Sequence, residues 1–242
     1  VRHLDWNVTA RQGRPFVRRY VEERSFVLWI VVDASASMRF GREGCTKADR
    51  AAQAAALLAT AAVHNGDRVG LLIVSDRVEL EIPAGGGVCH LSRVVRALVA
   101  TPTTSRATRL QAGLPRLRRA SRRAMLVVLG DFQPDEPVGA WREAGRRHDV
   151  VALRLVDPLE ERLPDVGLLA VRDAEGDGRF LLDSHRKRRR AAYARRAEDR
   201  RREFVRWCGA AAVEGHDLST ETDPLQTLMQ VFERRASRRG RS

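Results

Sequence analysis

Phe26-Val27-Leu28-Trp29-Ile30-Val31-Val32 runs directly into Asp33-Ala34-Ser35-Ala36-Ser37-Met38. The first part is apolar throughout, the pattern of a strand covered on both faces in a parallel sheet. The second alternates oxygen-bearing and small residues, which places Asp33, Ser35 and Ser37 on one side of a tight loop. Hard oxygen donors of this kind suit a small hard cation such as Mg²⁺, or Mn²⁺. Two further oxygens lie downstream, at Thr108 in Ala107-Thr108-Arg109-Leu110 and at Asp131 in Leu129-Gly130-Asp131-Phe132. The competing reading makes Asp33, Ser35 and Ser37 caps for a helix starting near Lys47.

Outward from this stretch, strand and helix patterns alternate up to residue 156. Lys47 to His64 is Ala-rich and helical, stopped by Asn65-Gly66-Asp67. Val69 to Ser75 and Val78 to Ile82 read as strands joined at Asp76-Arg77, with Pro83 to Gly87 as a loop. Leu91 to Val99 has helical spacing, and Leu110 to Arg119 reads as a helix with Pro115 as an awkward guest. Ala124 to Leu129 and Val150 to Val156 are buried strands on either side of a helix from Val138 to Arg147. This order predicts an α/β fold, a doubly wound, mostly parallel sheet flanked by helices. In such a sheet ligand sites gather at the carboxyl ends of strands, where Asp33 and Asp131 fall.

The remainder predicts an α/β extension. It holds a small hairpin around Glu175-Gly176-Asp177-Gly178, an Arg-rich helix from Arg186 to Trp207, a strand from Val213 to Leu218, and a last helix opened by Asp223-Pro224. The expected divisions are 1–25, the remnant of an amino-terminal region with Trp6, Phe16 and Tyr20 as packing anchors; 26–157, the metal-site core; 158–233, an extension completing the fold; and 234–242, a frayed basic tail. The start at Val1 in place of Met leads us to expect a missing amino-terminal segment.

Of 242 residues, 43% are hydrophobic, enough for a packed core and against wholesale disorder. No apolar run approaches the roughly 18 to 20 residues of a membrane span. Three cysteines, Cys45, Cys89 and Cys208, form no close pair, which points to a reducing, cytoplasmic setting without disulfides or zinc. The net charge of +13 rests on 42 Arg and only 2 Lys. We read that imbalance as genome-wide composition, although the positive field still attracts acidic partners, nucleic acid or anionic membranes.

Asp-x-Ser-x-Ser, then a Thr loop, then a strand-borne Asp, is similar to the metal-ion-dependent adhesion site of von Willebrand factor A domains. The wider chain resembles the bacterial domain-of-unknown-function fifty-eight family. That match is carried by Val1-Arg2-His3-Leu4-Asp5-Trp6, Gly66-Asp67-Arg68-Val69-Gly70-Leu71, His148-Asp149-Val150, Asp157-Pro158-Leu159-Glu160 and Arg190-Ala191-Ala192-Tyr193. The resemblance implies metal ligation by Asp33, Ser35, Ser37, Thr108 and Asp131, with Met38 and Arg109 at the partner-binding rim. It also implies a partnership with a MoxR-type AAA+ ATPase, as adaptor or co-chaperone. The family often carries Asp after the metal-site Thr. Arg109 stands there instead and brings a guanidinium that competes with the cation or binds its anionic ligand.

The sequence also bears on two other functions. From His185 to Arg206 there are 11 Lys or Arg against three acids, and Arg186-Lys187-Arg188-Arg189-Arg190 would suit nucleic-acid phosphates. No aromatic stacking platform or known nucleic-acid motif accompanies that run. An aspartyl phosphotransfer enzyme needs a second Asp two residues after Asp33 as general acid, and Ser35 stands there. Neither a Walker loop nor a glycine elbow is present. We therefore expect no enzyme activity.

Overall fold

The computed structural model describes residues 26–100, 105, 108–117, 123–132, 136–172 and 179–239. The amino-terminal anchors Trp6, Phe16 and Tyr20 lie outside them, as does most of the loop from Thr101 to Ala107. Six strands form the main sheet: β1 (Val27–Asp33), β4 (Arg68–Val74), β5 (Val78–Gly85), β6 (Met125–Gly130), β7 (Asp149–Val156) and β10 (Glu214–Ser219). Their spatial order is β10-β7-β6-β1-β4-β5, parallel except for β5, which pairs antiparallel with β4. Two short strands, β2 (Gly41–Arg42) and β3 (Cys45–Thr46), make a hairpin beside the end of β1. A second hairpin joins β8 (Leu168–Arg172) to β9 (Arg179–Asp183). The doubly wound α/β arrangement read from the sequence is the observed one.

Helices cover both faces. α1 (Lys47–His64), α2 (Val88–Ala100) and α7 (Pro224–Arg239) lie on one side. The short α3 (Leu114–Leu117), α4 (Val138–Arg147) and the long α6 (Lys187–Ala211) lie on the other. A single turn, α5 (Pro158–Glu161), follows β7. The alternation along β1 divides the core: Leu28, Ile30 and Val32 face α1, while Trp29 and Val31 face α3 and α6. α1 presents Ala51, Ala54, Ala55, Ala59 and Ala62, so its backbone approaches the sheet closely. Gly70 on β4 is opposite Trp29, and a Cβ there would stand 2.5 Å from the indole ring. The indole therefore fills the space that a β4 side chain would need.

Several boundaries differ from the sequence reading, each for a local reason. β5 continues through Pro83 to Gly85, because an edge strand tolerates a residue without an N–H. The helix expected from Leu110 to Arg119 is a 3₁₀ turn, Leu110–Gly113, followed by α3. Pro115 sits in the first turn of α3, where its missing N–H costs nothing. α6 runs on to Ala211 and stops at Ala212 in a left-handed conformation, φ 54°. The tail expected to fray from 234 is helical to Arg239. Arg235 explains this: it is buried, bonds Asp149 at 2.6 and 2.7 Å, and also reaches Glu214.

Candidate metal centre at the carboxyl rim of the sheet

β1 delivers Asp33 to the rim with 1% exposure. Its Oδ1 accepts the Ser35 amide at 2.8 Å, which turns the chain sharply and leads into a 3₁₀ turn, Ala36–Arg39. The turn brings Ser35 Oγ and Ser37 Oγ to 3.0 Å. The loop carrying Thr108 is tied alongside, since Ala36 N donates to Ser105 O at 2.8 Å and Arg109 N donates to Ser75 O at 2.7 Å. Glu136 holds the following turn by accepting from Gln111 N and Trp141 Nε1, both at 2.8 Å.

β6 supplies Asp131 from the adjacent strand end. Gly130, just before it, touches Asp33: a Cβ there would lie 3.1 Å from Asp33 Cβ and 3.2 Å from Oδ2. Phe132, just after it, has φ 50°, a strained conformation for a bulky residue. Its ring is anchored between Phe204 and Trp207, with centroids at 5.1 and 5.3 Å. Asp131 is therefore held between a residue that must be small and one pinned by packing.

The electrostatics favour a cation. Burial pushes the Asp33 carboxyl up to about 7, and nearby Asp131 pushes in the same direction. Asp33 Oδ2 and Thr108 Oγ1 are buried, and neither has a hydrogen-bond partner among the described residues. Such groups cost free energy unless something else binds them. With the Ser35–Ser37 pair they form an oxygen donor set that fits Mg²⁺ or Mn²⁺. Among the described residues no group of three or more His, Cys, Asp or Glu could hold a metal, so hydroxyls have to contribute.

One sequence-derived assignment needs correction. Met38, expected at the partner rim, is fully buried in the core, because the 3₁₀ turn directs it inward beneath the loop. Arg109, expected at the partner rim to compete with the cation or bind its anionic ligand, is exposed, with its backbone N–H bonded to Ser75 O. The ammonium close to the site belongs to Lys47, with 2% exposure, 3.6 Å from Asp131 Oδ2 and 2.9 Å from Glu160 Oε1. The capping alternative also fails. α1 is capped by Thr46 in a reciprocal box with Asp49, which leaves Asp33, Ser35 and Ser37 outside that role.

Sequence reading missed Lys47, Glu160 and Arg154. Lys47 is one of only two lysines in an Arg-rich chain, which was a usable signal. Arg154 interrupts an otherwise apolar strand, Val150-Val151-Ala152-Leu153-Arg154-Leu155-Val156, a stronger one. The rim opens into a cavity of about 310 Å³ lined by Ser37, Lys47, Asp131, Arg154, Tyr193 and Arg200, among others. Tyr193 donates to Leu159 O at 3.0 Å, and burial together with Glu160 raises its phenol above the usual range.

The basic run at the start of α6 is divided. Arg186 pairs with Asp183 at 3.0 Å, and Arg190 pairs with Asp165 at 2.9 Å and donates to Ser184 O. Lys187, Arg188 and Arg189 are exposed.

Among known proteins, Rv1480 of Mycobacterium tuberculosis, itself uncharacterized, is 35% identical over 247 residues, covering 99% of this chain and 75% of its own length. BatB of Bacteroides thetaiotaomicron superposes with a TM-score of 0.57 at 14% identity, over 90% of this chain and 100% of its own. An aerotolerance-related membrane protein of Bacteroides fragilis gives 0.56 at 12% identity, over 86% and 98%. At such identities these two likenesses concern the fold. No helix among the described residues is long and apolar enough to cross a membrane. The family model for DUF58, proteins of unknown function, matches residues 1–203, and this chain belongs to that family.

Proposed function

We propose that the rim binds a divalent cation, Mg²⁺ or Mn²⁺, and through it an acidic side chain of a protein partner, without covalent chemistry. The observation that carries this reading is that two buried oxygens of the rim loops, Asp33 Oδ2 and Thr108 Oγ1, have no hydrogen-bond partner among the described residues, while the paired Ser35 and Ser37 hydroxyls sit on the same loop as Asp33. Asp33, Ser35, Ser37, Thr108 and Asp131 would hold the cation. When bound, it supplies a hard, positively charged acceptor for a carboxylate. Asp33 and Asp131 contribute two negative charges and Lys47 one positive, with Glu160 balancing Lys47. With a divalent cation bound the site is close to neutral, so an incoming carboxylate meets no net repulsion and can take an open position on the metal. The resemblance stated above makes a MoxR-type AAA+ ATPase the partner to try first, with this chain as its adaptor or co-chaperone. Nucleic-acid binding is the weaker reading, because Arg186 and Arg190 are already engaged by carboxylates.

The test is thermal unfolding and partner pull-down of wild type, Ser35→Ala and Asp131→Ala, each in EDTA and in millimolar Mg²⁺ or Mn²⁺. A cation that binds only the folded chain raises the wild-type midpoint, by a free energy of about 2.7 kcal/mol at a hundredfold excess over Kd. Both variants should lose that rise and the metal-dependent pull-down while remaining folded. Equal midpoints in EDTA and metal for wild type would remove the reading.

A further inference from the structure

Arg154 is a guanidinium in a row of side chains that packing alone would make aliphatic. Val150 and Ala152 precede it on the same face of β7 and are core residues. It is 6% exposed, yet only part of its hydrogen-bonding capacity is used. Nε donates to Asp217 Oδ1 at 2.7 Å, and the guanidinium carbon lies 5.4 Å from the Phe204 ring centre. Nη2 is buried with no partner among the described residues.

Its location gives that group a direction to act in. Arg154 is in register with Gly130 of β6, and Gly130 in turn touches Asp33 of β1. Asp33 and Arg154 thus stand on one face of the sheet, separated by a strand with no side chain at that level. Two strand spacings put their backbones about 10 Å apart. The cavity next to the rim is lined by Ser37, Lys47, Asp131, Arg154, Glu160 and Glu161, so Arg154 and Lys47 face carboxylates as well as open space there. α6 closes it with Tyr193, Ala197 and Arg200, one face of the helix at spacings of four and three. Arg200 is exposed at the mouth and donates to Glu160 O at 3.0 Å.

We propose that this cavity is a second anion subsite, with Arg154 as its floor and Arg200 at its mouth, and that the ligand is an acidic peptide segment. One carboxylate goes to the metal centre, so the inference rests in part on the reading above, and a second goes to Arg154. Acidic residues two apart in an extended segment point to the same side about 7 Å apart, a separation that a Glu and an Arg side chain extend to 10 Å. A peptide is favoured over a small dicarboxylate by the surrounding charge. Arg186 and Arg190 are engaged by carboxylates, but Lys187, Arg188 and Arg189 are exposed on α6 and attract an acidic chain along it. A guanidinium also matches carboxylate geometry in a way that an ammonium does not.

The experiment is fluorescence anisotropy with labelled Gly-Ser-Glu-Ala-Glu-Ser-Gly and its two single-Gln forms, in Mg²⁺ and in EDTA. Wild type in Mg²⁺ should bind the diacid about tenfold more tightly than either single-acid peptide. Arg154→Gln should erase that advantage and leave single-acid binding intact, with circular dichroism confirming the fold. Arg200→Ala, an exposed change that spares the core, should weaken diacid binding about threefold. In EDTA the residual diacid binding should still depend on Arg154. Arg154-dependent binding that ignores Mg²⁺ would sink the metal reading and keep the subsite. Mg²⁺-dependent binding with equal affinity for all three peptides would sink the subsite and keep the metal. If Arg154→Gln does not fold, unchanged diacid binding in Arg200→Ala overturns the proposal. Displacement of the peptide by glutarate or inorganic phosphate at comparable concentration would make this a small-anion site and overturn the peptide assignment.

Discussion

At the amino-terminal ends of β7 and β10, the Arg235 guanidinium lies between Asp149 and Glu214, with two bonds to Asp149 at 2.6 and 2.7 Å. At the opposite rim, the Lys47 ammonium lies 2.9 Å from Glu160 and 3.6 Å from Asp131, and buried Asp33 Oδ2 and Thr108 Oγ1 on the same rim have no hydrogen-bond partner among the described residues. Both cations are buried and both face two carboxylates. The first cluster uses a planar fork matched to its acceptors, which fixes one geometry and joins the last helix to the sheet. The second uses a flexible point charge held 3.6 Å from Asp131, without the fork geometry of the first. One end of the sheet is fixed by a matched ion cluster, and the other is where the proposed cation site lies.

The contrast is broken most severely at the fixed end. Arg235→Ala removes the guanidinium from between two carboxylates, and urea unfolding should show a loss of about 3 kcal/mol. A loss below about 1 kcal/mol would make the cluster no more than a surface ion pair. At the rim of the proposed cation site, Lys47→Met should change metal affinity more than stability. Removing a positive charge a few ångströms from the site should tighten Mn²⁺ binding on the order of tenfold by calorimetry. Unchanged affinity would mean that the ammonium does not oppose the incoming cation.

A smaller effect should appear at His148, next to Asp149 at the fixed end. Burial, then Arg147 and Arg123, lower its pKa below the ordinary 6.5. The unfolded chain therefore binds the proton more readily than the folded one. This contribution to stability is complete above 6.5 and is lost as pH falls from there through the folded pKa. His148→Gln should flatten the fall in unfolding midpoint over that interval, and an identical slope in both proteins would contradict the assignment. Smallest in energy is a difference among the thiols. Cys208, pushed to about 12 chiefly by burial, should alkylate far more slowly than exposed Cys89. Equal rates by mass spectrometry would show that the packing of α6 on the sheet opens readily.

Much of the fold was legible because its signals are local. The apolar run before Asp33, the alanines of α1 and the turn at Asn65-Gly66 each state their element within a few residues. The errors fell where a neighbour in space overrode the local pattern. Pro83 is tolerated in a strand because that strand is an edge, and the last helix persists because Arg235 finds Asp149. The order of the candidate ligands was also legible, since Asp33, Ser35 and Ser37 lie on one loop and Asp131 follows a strand.

Residue order alone was enough for the alternation of strands and helices and for the oxygen-rich rim, because periodicity and turn chemistry act over short distances along the chain. Tertiary structure decided which charges matter. Arg109 faces solvent, while Lys47 meets Glu160 across a sequence separation of 113 residues. Met38 became core rather than contact surface, and Arg154 acquired a cavity. Burial and partnership set the energy of a charged group, and both arise only when distant strands are brought side by side.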